Sequence, residues 1–496
     1  MTDTHPGTEI AASVDPDVFA RRYLVHATSQ LPGRAGNELA TLAEESLAFG
    51  SVRTEAQNLL GIHDLDPDTT AIDVITADAP YLVDSVRAEL DRCGNPVARV
   101  LHPQLVVARD AAGRLGQVFD IDDDADVPAG ATVESWMHIE IDRLDPAQRE
   151  PLEAELRRVL ADVQHAVADA PAMYALIREL ADELNADPGE FDRETSEEAG
   201  ALLRWLADGN YMILGHAAYS ANDLASPLAL APNDAQGVLR GEARISPLEL
   251  LPAYRSGAPL VIFKSPLVST VRRAVRFDCV TVVTPATGRG PQMMHVFLGL
   301  ITNTEDGTVG RVPVVRRRIA EILLRSGVRA DSYTGRGLLA AIRTLPRDEL
   351  LEAPTADLLR LAQLVVDRAE SGTVGVFGRI HLNRDFVSVL VYFPADRFGP
   401  ETRRRVTAVI NKHWPGEIIG RDDRIVELNL ARMQFLIAVR PGTQPPSPDR
   451  PVVEAEVAKV TRRWTDDLAD LLALRMGDDG AERVLRKYAT ALPEAY

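Results

Sequence analysis

The stretch from Ala71 to Asp142 constrains the fold more than any other, because its apolar period changes along it. Ala71-Ile72-Asp73-Val74-Ile75 is an apolar run that breaks at Asp78-Ala79-Pro80 and restarts as Tyr81-Leu82-Val83-Asp84-Ser85-Val86-Arg87-Ala88-Glu89-Leu90. That pattern predicts a strand turning into a helix. After Cys93-Gly94-Asn95-Pro96 come Val97 to Arg109, Leu115 to Ile121 and Val133 to Ile141, which read as further strands of one sheet.

At 496 residues the chain exceeds a single hydrophobic core, and at about 100 to 200 residues per domain it divides into three or four units. The formal net charge of -19 argues against nucleic acid or an anionic membrane as partner, since both need clustered positive potential. No uncharged apolar run of about 18 residues occurs, and Met1 to Pro6 lacks a signal pattern, so a cytoplasmic protein is expected. Cys93 and Cys279 are the only cysteines, and each reads as a reduced, buried thiol.

Residues 1–14 are polar and without period, so they are expected to be disordered. Pro16 to Phe49 predicts two short helices leading into the sheet, and Asp145-Pro146 starts a helix to about Val163, with Pro171 separating a second. Tyr211 to Leu214, Leu260 to Phe263, Cys279 to Val283 and Met294 to Ile301 predict a second sheet. Antiparallel pairing is expected, because no helix-length crossover separates its later strands. Residues 220–250 read as loop with at most one short strand. Helices are predicted over Pro313 to Arg325, Leu338 to Leu345 and Ala356 to Ala369. A second α+β unit occupies Thr373 to Arg440, then come the Pro441-Gly442 to Pro448 linker and terminal helices over Val452 to Leu474 and Glu482 to Tyr488. The order of elements in the two α+β units reads as slightly different, and no fixed-period repeat joins them.

Catalytic signatures are sparse. Gly335-Arg336-Gly337 has no preceding strand and no third glycine, so it lacks the context for dinucleotide binding. His102, His138, His295 and His381 lie in strand-like runs, where a structural histidine is the better reading. Arg272, Arg273 and Arg276, and Arg316 to Arg318, could hold a phosphate or carboxylate, but a solvated face or an interdomain ion pair is the plainer reading. Lys264 beside an apolar strand could have its pKa lowered, yet with no partner visible it reads as a snorkelling edge residue. The turn from Asp78 to Ser85 is the positive candidate. Backbone N–H groups at a helix start can bind an amino-acid carboxylate, and Asp78 and Asp84 could take its ammonium, against the plainer role of Asp78 as a helix cap. Asp78, Tyr81, Leu82, Val83, Asp84 and Ser85 form this candidate effector site; catalytic, cofactor-binding and metal residues are expected to be absent.

These strings carry a resemblance. Pro80 to Val86, His102-Pro103 and Glu134 to Asp142 resemble the N-terminal region of the large-subunit class of bacterial NAD-dependent glutamate dehydrogenases. Leu202 to Asp208, Ile213 to Gly215, Lys264-Ser265-Pro266, Ser269 to Val271, Phe297 to Leu300, Arg311 to Arg317, Pro346 to Leu350, Val389 to Pro394 and Asp396 to Phe398 continue it in the same order. The resemblance implies a multi-domain α+β chain, with ferredoxin-like ACT-type domains flanking a PAS-like antiparallel sheet and joined by helical segments. It implies a tail and helices over 1–70, a first ACT-type domain over 71–165, a connector over 166–200 and the PAS-like domain over 201–305. A second connector over 306–371, a second ACT-type domain over 372–442 and terminal helices over 449–496 complete the division.

In that family the dinucleotide- and glutamate-binding catalytic domain lies further along the sequence, so a regulatory and oligomerisation segment is expected here. It would be catalytically inactive and hold no cofactor, while the parent enzyme uses NAD to oxidise L-glutamate to 2-oxoglutarate and ammonium. The resemblance also implies a homo-oligomer, tetrameric or hexameric, amino-acid effectors, and a chain that is part of a longer pattern. The rival expectation is a stand-alone amino-acid sensor or scaffold with ACT-type domains.

Overall fold

A computed structural model describes residues 14–121, 126–221, 229–230, 235–241, 245–284, 292–302, 309–440 and 442–488. The polar segment at the start therefore lies almost wholly outside the described residues. Three antiparallel sheets succeed one another along the chain.

The first unit opens with helices α1 (Pro16–Tyr23), α2 (Ala27–Gln30) and α3 (Gly36–Phe49). Then come β1 (Leu59–Asp64), β2 (Thr69–Ala77), α4 (Leu82–Arg92), β3 (Val97–Leu101), β4 (Gln104–Arg109), β5 (Leu115–Val118), β6 (Thr132–Asp142) and α5 (Pro146–Ala186). The sheet takes in β1, a strand upstream of Ala71 that its mixed sequence, Leu59-Leu60-Gly61-Ile62-His63-Asp64, does not advertise. Strand order is β1-β2-β6-β4-β5. β3 and β4 pair with opposite ends of β6, as one strand interrupted at His102-Pro103. Ile72, Val74, Met137, Ile139 and Ile141 point toward α4 and α5, while Ile75, Trp136, Leu105 and Val107 meet Phe19 and Tyr23 of α1.

α5 is one helix of 41 residues with Pro151 and Pro171 inside it. The expectation of a break at Pro171 is corrected. Val159, Val163 and Ala166 before the proline and Met173, Ile177 and Leu184 after it continue a buried stripe, and that burial offsets the hydrogen bond that proline removes.

The middle unit comprises α6 (Arg193–Trp205), β7 (Tyr211–Ala221), β8 (Ala229–Leu230), β9 (Gln236–Gly237), α7 (Pro247–Arg255), β10 (Leu260–Val268), β11 (Arg276–Val283) and β12 (Gln292–Ile301). Its order is β10-β11-β12-β7-β8, antiparallel throughout, as the spacing predicts. α7 begins at the end of the stretch read as loop, where Ser246 accepts from the Leu248 N–H to start the helix. One face of this sheet (Met212, Leu214, Phe277, Cys279, Leu298) shares a core with α4, α5 and the first sheet. The other (Tyr211, Ile213, Val280, Phe297) shares a core with α6 and with the helices and third sheet that come after it in the chain. Gly299 lies at a bulge between β12 and β7, and a Cβ there would sit 2.1 Å from the Met212 carbonyl oxygen, so the close strand approach requires glycine.

Helices α8 (Val315–Ser326), α9 (Tyr333–Arg343), α10 (Arg347–Glu352) and α11 (Thr355–Ser371) lead to the third unit. It consists of β13 (Gly375–Ile380), β14 (Phe386–Pro394), α12 (Pro400–His413), β15 (Ile418–Val426), β16 (Leu430–Ala438) and α13 (Arg450–Val460), with α14 (Trp464–Met476) and α15 (Asp478–Tyr488) beyond it. The order β13-β14-β16-β15 matches β1-β2-β6-β3/β4 position for position, with α12 and α13 in the places of α4 and α5. The slight difference in element order read from the sequence is thus corrected: both units share one topology. In each, the edge strand next to the first central strand precedes it as a hairpin partner, where the usual β-α-β-β-α-β plan supplies that strand last.

Leu160, fully buried on α5 between two sheets, tests this shared core. Leu160→Ala should lower unfolding free energy by about 2 to 5 kcal/mol in urea titration, and the signals from the first and middle units should shift together.

Candidate effector site

The turn between β2 and α4 is built around Tyr81, which has φ +73° and precedes the helix without a side-chain cap. A left-handed tyrosine is sterically costly and persists only where its surroundings hold it. Here the Ser85 hydroxyl donates to the Tyr81 carbonyl at 2.6 Å and accepts from the Arg272 N–H at 2.8 Å, while the Arg272 guanidinium lies 5.8 Å from the centre of the Tyr81 ring. Arg272 belongs to the loop between β10 and β11, so the turn is clamped to the middle unit.

The six candidate residues separate into distinct roles. Leu82 is core, Val83 packs beside it, and Ser85 is buried in the clamp. Asp78 does not cap the helix: its N–H donates to the Val133 carbonyl at 3.0 Å and its carboxylate accepts from Gln104 Nε2 at 2.8 Å. Asp84 is exposed and lines a groove of about 540 Å³ with Arg87, Asp91 and Arg92 of α4 and Arg272 and Arg273 of the facing loop. Arg92 is occupied by Glu89, at 2.9 and 2.5 Å.

Elsewhere the titratable groups serve the fold. Beneath α1 to α3, the buried Glu134 accepts from Arg53 (2.9 and 2.8 Å) and Arg109 (2.6 and 2.8 Å). Six residues further along the same strand, Glu140 accepts from Arg34 and Arg99, each at 2.7 Å. His138, on the same strand face, lies 2.7 Å from Asp73 and 3.7 Å from Glu140. Burial pushes the His138 imidazole down, but the two carboxylates outweigh it and raise its pKa to about 9. His216 and His295 of the middle sheet stack with ring centres 5.4 Å apart, and burial together with the neighbouring ring lowers His216 to about 3.

A second charged cluster went unseen in the sequence, although its members lie in strings singled out there. Lys264 is not a snorkelling residue: its side chain is 14% exposed, pairs with Asp278 and lies 3.3 Å from Asp348 of α10. Burial would lower its pKa, yet Asp278, Asp348 and Glu352 hold it charged, above its ordinary value. From the third unit, Arg379 donates to Glu349 at 2.6 Å and lies 3.6 Å from Glu352, which has His381 at 2.9 Å. Three units therefore meet across buried ion pairs. Arg316 pairs with Glu198, Arg317 bonds Thr195, and Arg318 donates to the Leu350 carbonyl, in line with the interdomain reading of that run. Gly335 packs against the Arg329 carbonyl, where a Cβ would sit at 1.9 Å, so its glycine serves packing. Among the described residues no three His, Cys, Asp or Glu side chains converge as metal ligands, and no helix is long and apolar enough to cross a membrane. Cys279 is buried and Cys93 half-buried, both unbridged.

Three family models match the chain: glutamate dehydrogenase ACT1 domain over residues 19–156, glutamate dehydrogenase helical motif 1 over 312–371, and glutamate dehydrogenase ACT2 domain over 376–465. The chain is also similar to the NAD-specific glutamate dehydrogenases of Pseudomonas aeruginosa, Halomonas elongata and Mycobacterium tuberculosis. Each is 29% identical over 446 to 449 residues, which is 86% of this chain and 26 to 27% of the relative. The chain thus spans about a quarter of the length of these curated relatives.

Both buried charge clusters can be tested by their effect on stability. The folded-state pKa of His138 lies above its ordinary 6.5, so its stabilisation is complete below about pH 6.5 and is lost as pH rises through 9. Chemical denaturation should show about 3 kcal/mol of stability lost across that window, and His138→Gln should flatten the profile there. Arg379→Met leaves Glu349 and Glu352 buried with a partner removed and should cost about 3 to 5 kcal/mol by the same measurement.

Proposed function

The chain belongs with the N-terminal region of the large NAD-specific glutamate dehydrogenases, and from that premise we propose that it is the regulatory and oligomerisation segment of such an enzyme. The parent reaction is the oxidation of L-glutamate with NAD and water to 2-oxoglutarate, ammonium and NADH, carried out by residues beyond those of this chain. NAD is the parent's cofactor, and this segment binds none. The carrying observation is the succession of ACT1, helical motif and ACT2 matches on sheets of one topology that share continuous cores with the middle sheet.

In this reading the middle sheet is a PAS-like domain, and small effectors, amino acids among them, act at the Asp78 to Ser85 turn. Its clamp to the Ser269–Arg276 loop supports that role, because a ligand there would alter how the first unit meets the middle one. The outer edge of β15 ends the third sheet and carries the exposed Ile425, which supports assembly through that edge into a cytoplasmic homo-oligomer.

The purified chain, given L-glutamate and NAD, should produce no NADH absorbance; glutamate-dependent reduction would overturn the assignment. An amino-acid thermal-shift screen should find at least one stabilising ligand, worth about 2.7 kcal/mol at 100 times its dissociation constant. Asp78→Asn should abolish that response, and light scattering should report more than one protomer per particle.

A further inference from the structure

We propose that the groove between α4 and the β10–β11 loop is a binding site for a small anion bearing a phosphate or carboxylate group. The inference rests on the regulatory reading above and adds the ligand's chemistry and location.

Arginines without a carboxylate partner mark the groove. The protein has 73 acidic against 54 basic side chains, so a carboxylate is within reach of most arginines. Arg87, Arg272 and Arg273 nevertheless line one groove without an ion pair to any described carboxylate, while Arg92 in the same wall is neutralised by Glu89 and Glu155. Asp84 and Asp91 line the α4 side of the groove, so the unpaired guanidinium groups of Arg272 and Arg273 gather on the loop side. An anion is therefore drawn to the loop side, away from the α4 carboxylates.

The loop is organised before any ligand arrives. The Arg273 N–H donates to the Val271 carbonyl at 2.8 Å, the Val275 N–H to the Arg273 carbonyl at 2.8 Å, and the Ser269 N–H to the Val275 carbonyl at 2.8 Å. The Ser269 hydroxyl donates to the Val271 carbonyl at 2.8 Å, and Arg272 is fixed by Ser85 and Tyr81. Arg272 and Arg273 thus start from a braced backbone, with Arg87 across the groove, so only side chains remain to be ordered when an anion binds. Five N–H donors on each guanidinium match the oxygens of phosphate or carboxylate.

The test is calorimetric titration of the whole 496-residue chain with sodium phosphate and with sodium succinate, at ionic strength fixed by sodium chloride. Saturable binding of either is expected: phosphate alone would identify a phosphorylated ligand, succinate alone a dicarboxylate. Arg273→Ala and Arg87→Ala, both at exposed positions, should each weaken binding about tenfold without moving the melting temperature of the unliganded protein. Asp84→Asn should tighten it. Asp78→Asn should leave it unchanged, so an amino-acid response at the turn and anion binding in the groove can fail separately. Absence of saturable binding by both probes, or binding indifferent to Arg273→Ala, overturns the proposal.

Discussion

Burial of the long helix α5 is the constraint on which the other contacts depend. Its 41 residues span about 60 Å at helical rise. Leu152, Leu156, Val159, Leu160 and Val163 fill the space between the first sheet and the middle one, and Met173, Ile177, Leu180 and Leu184 reach the core shared by α6, the helical motif and the third sheet. Most helical stability in a folded protein comes from packing of the apolar face, so this helix is stabilised by the surfaces it joins. Those surfaces in turn hide their apolar faces only because it is there.

Where packing is apolar the units are glued, and where they converge a second time they are keyed by charge. Lys264, Asp278, Asp348, Glu349, Glu352, Arg379 and His381 come from the middle sheet, the helical motif and the third unit. Such pairs add little net stability over well-packed apolar groups, because desolvation opposes their attraction. What they enforce is register, since a misplaced carboxylate there would be buried without its cation. The same logic holds beneath α1 to α3, where Glu134 and Glu140 each take two arginines.

The apolar framework was legible in the residues: the strand-to-helix switch at Asp78-Ala79-Pro80, the antiparallel middle strands and the helix behind Asp145-Pro146 obey local period and caps. The misses have physical reasons. β1 is short and carries Gly61, His63 and Asp64, so no alternation marks it. Pro171 reads as a stop because local chemistry knows nothing of the two cores that hold the helix through it. The ionic junction was invisible for a related reason. Lys264 and Arg379 are 115 positions apart in sequence, and only long-range packing makes them neighbours of one carboxylate cluster. At the candidate effector site, Asp78 and Asp84 read alike as carboxylates flanking a turn, yet Gln104 engages the first and the groove exposes the second.

The early placement of the edge strand has a mechanical consequence. In the common β-α-β-β-α-β plan the chain must return from its second helix to complete the sheet, and that return limits how far the helix can run. Here β1 and β13 precede their first helices in the chain and pair with the next strand directly. Each second helix still covers its own sheet but need not lead back into it. α5 uses that freedom to run on past its own sheet to the middle sheet and α6, whereas α13 hands the chain on to α14.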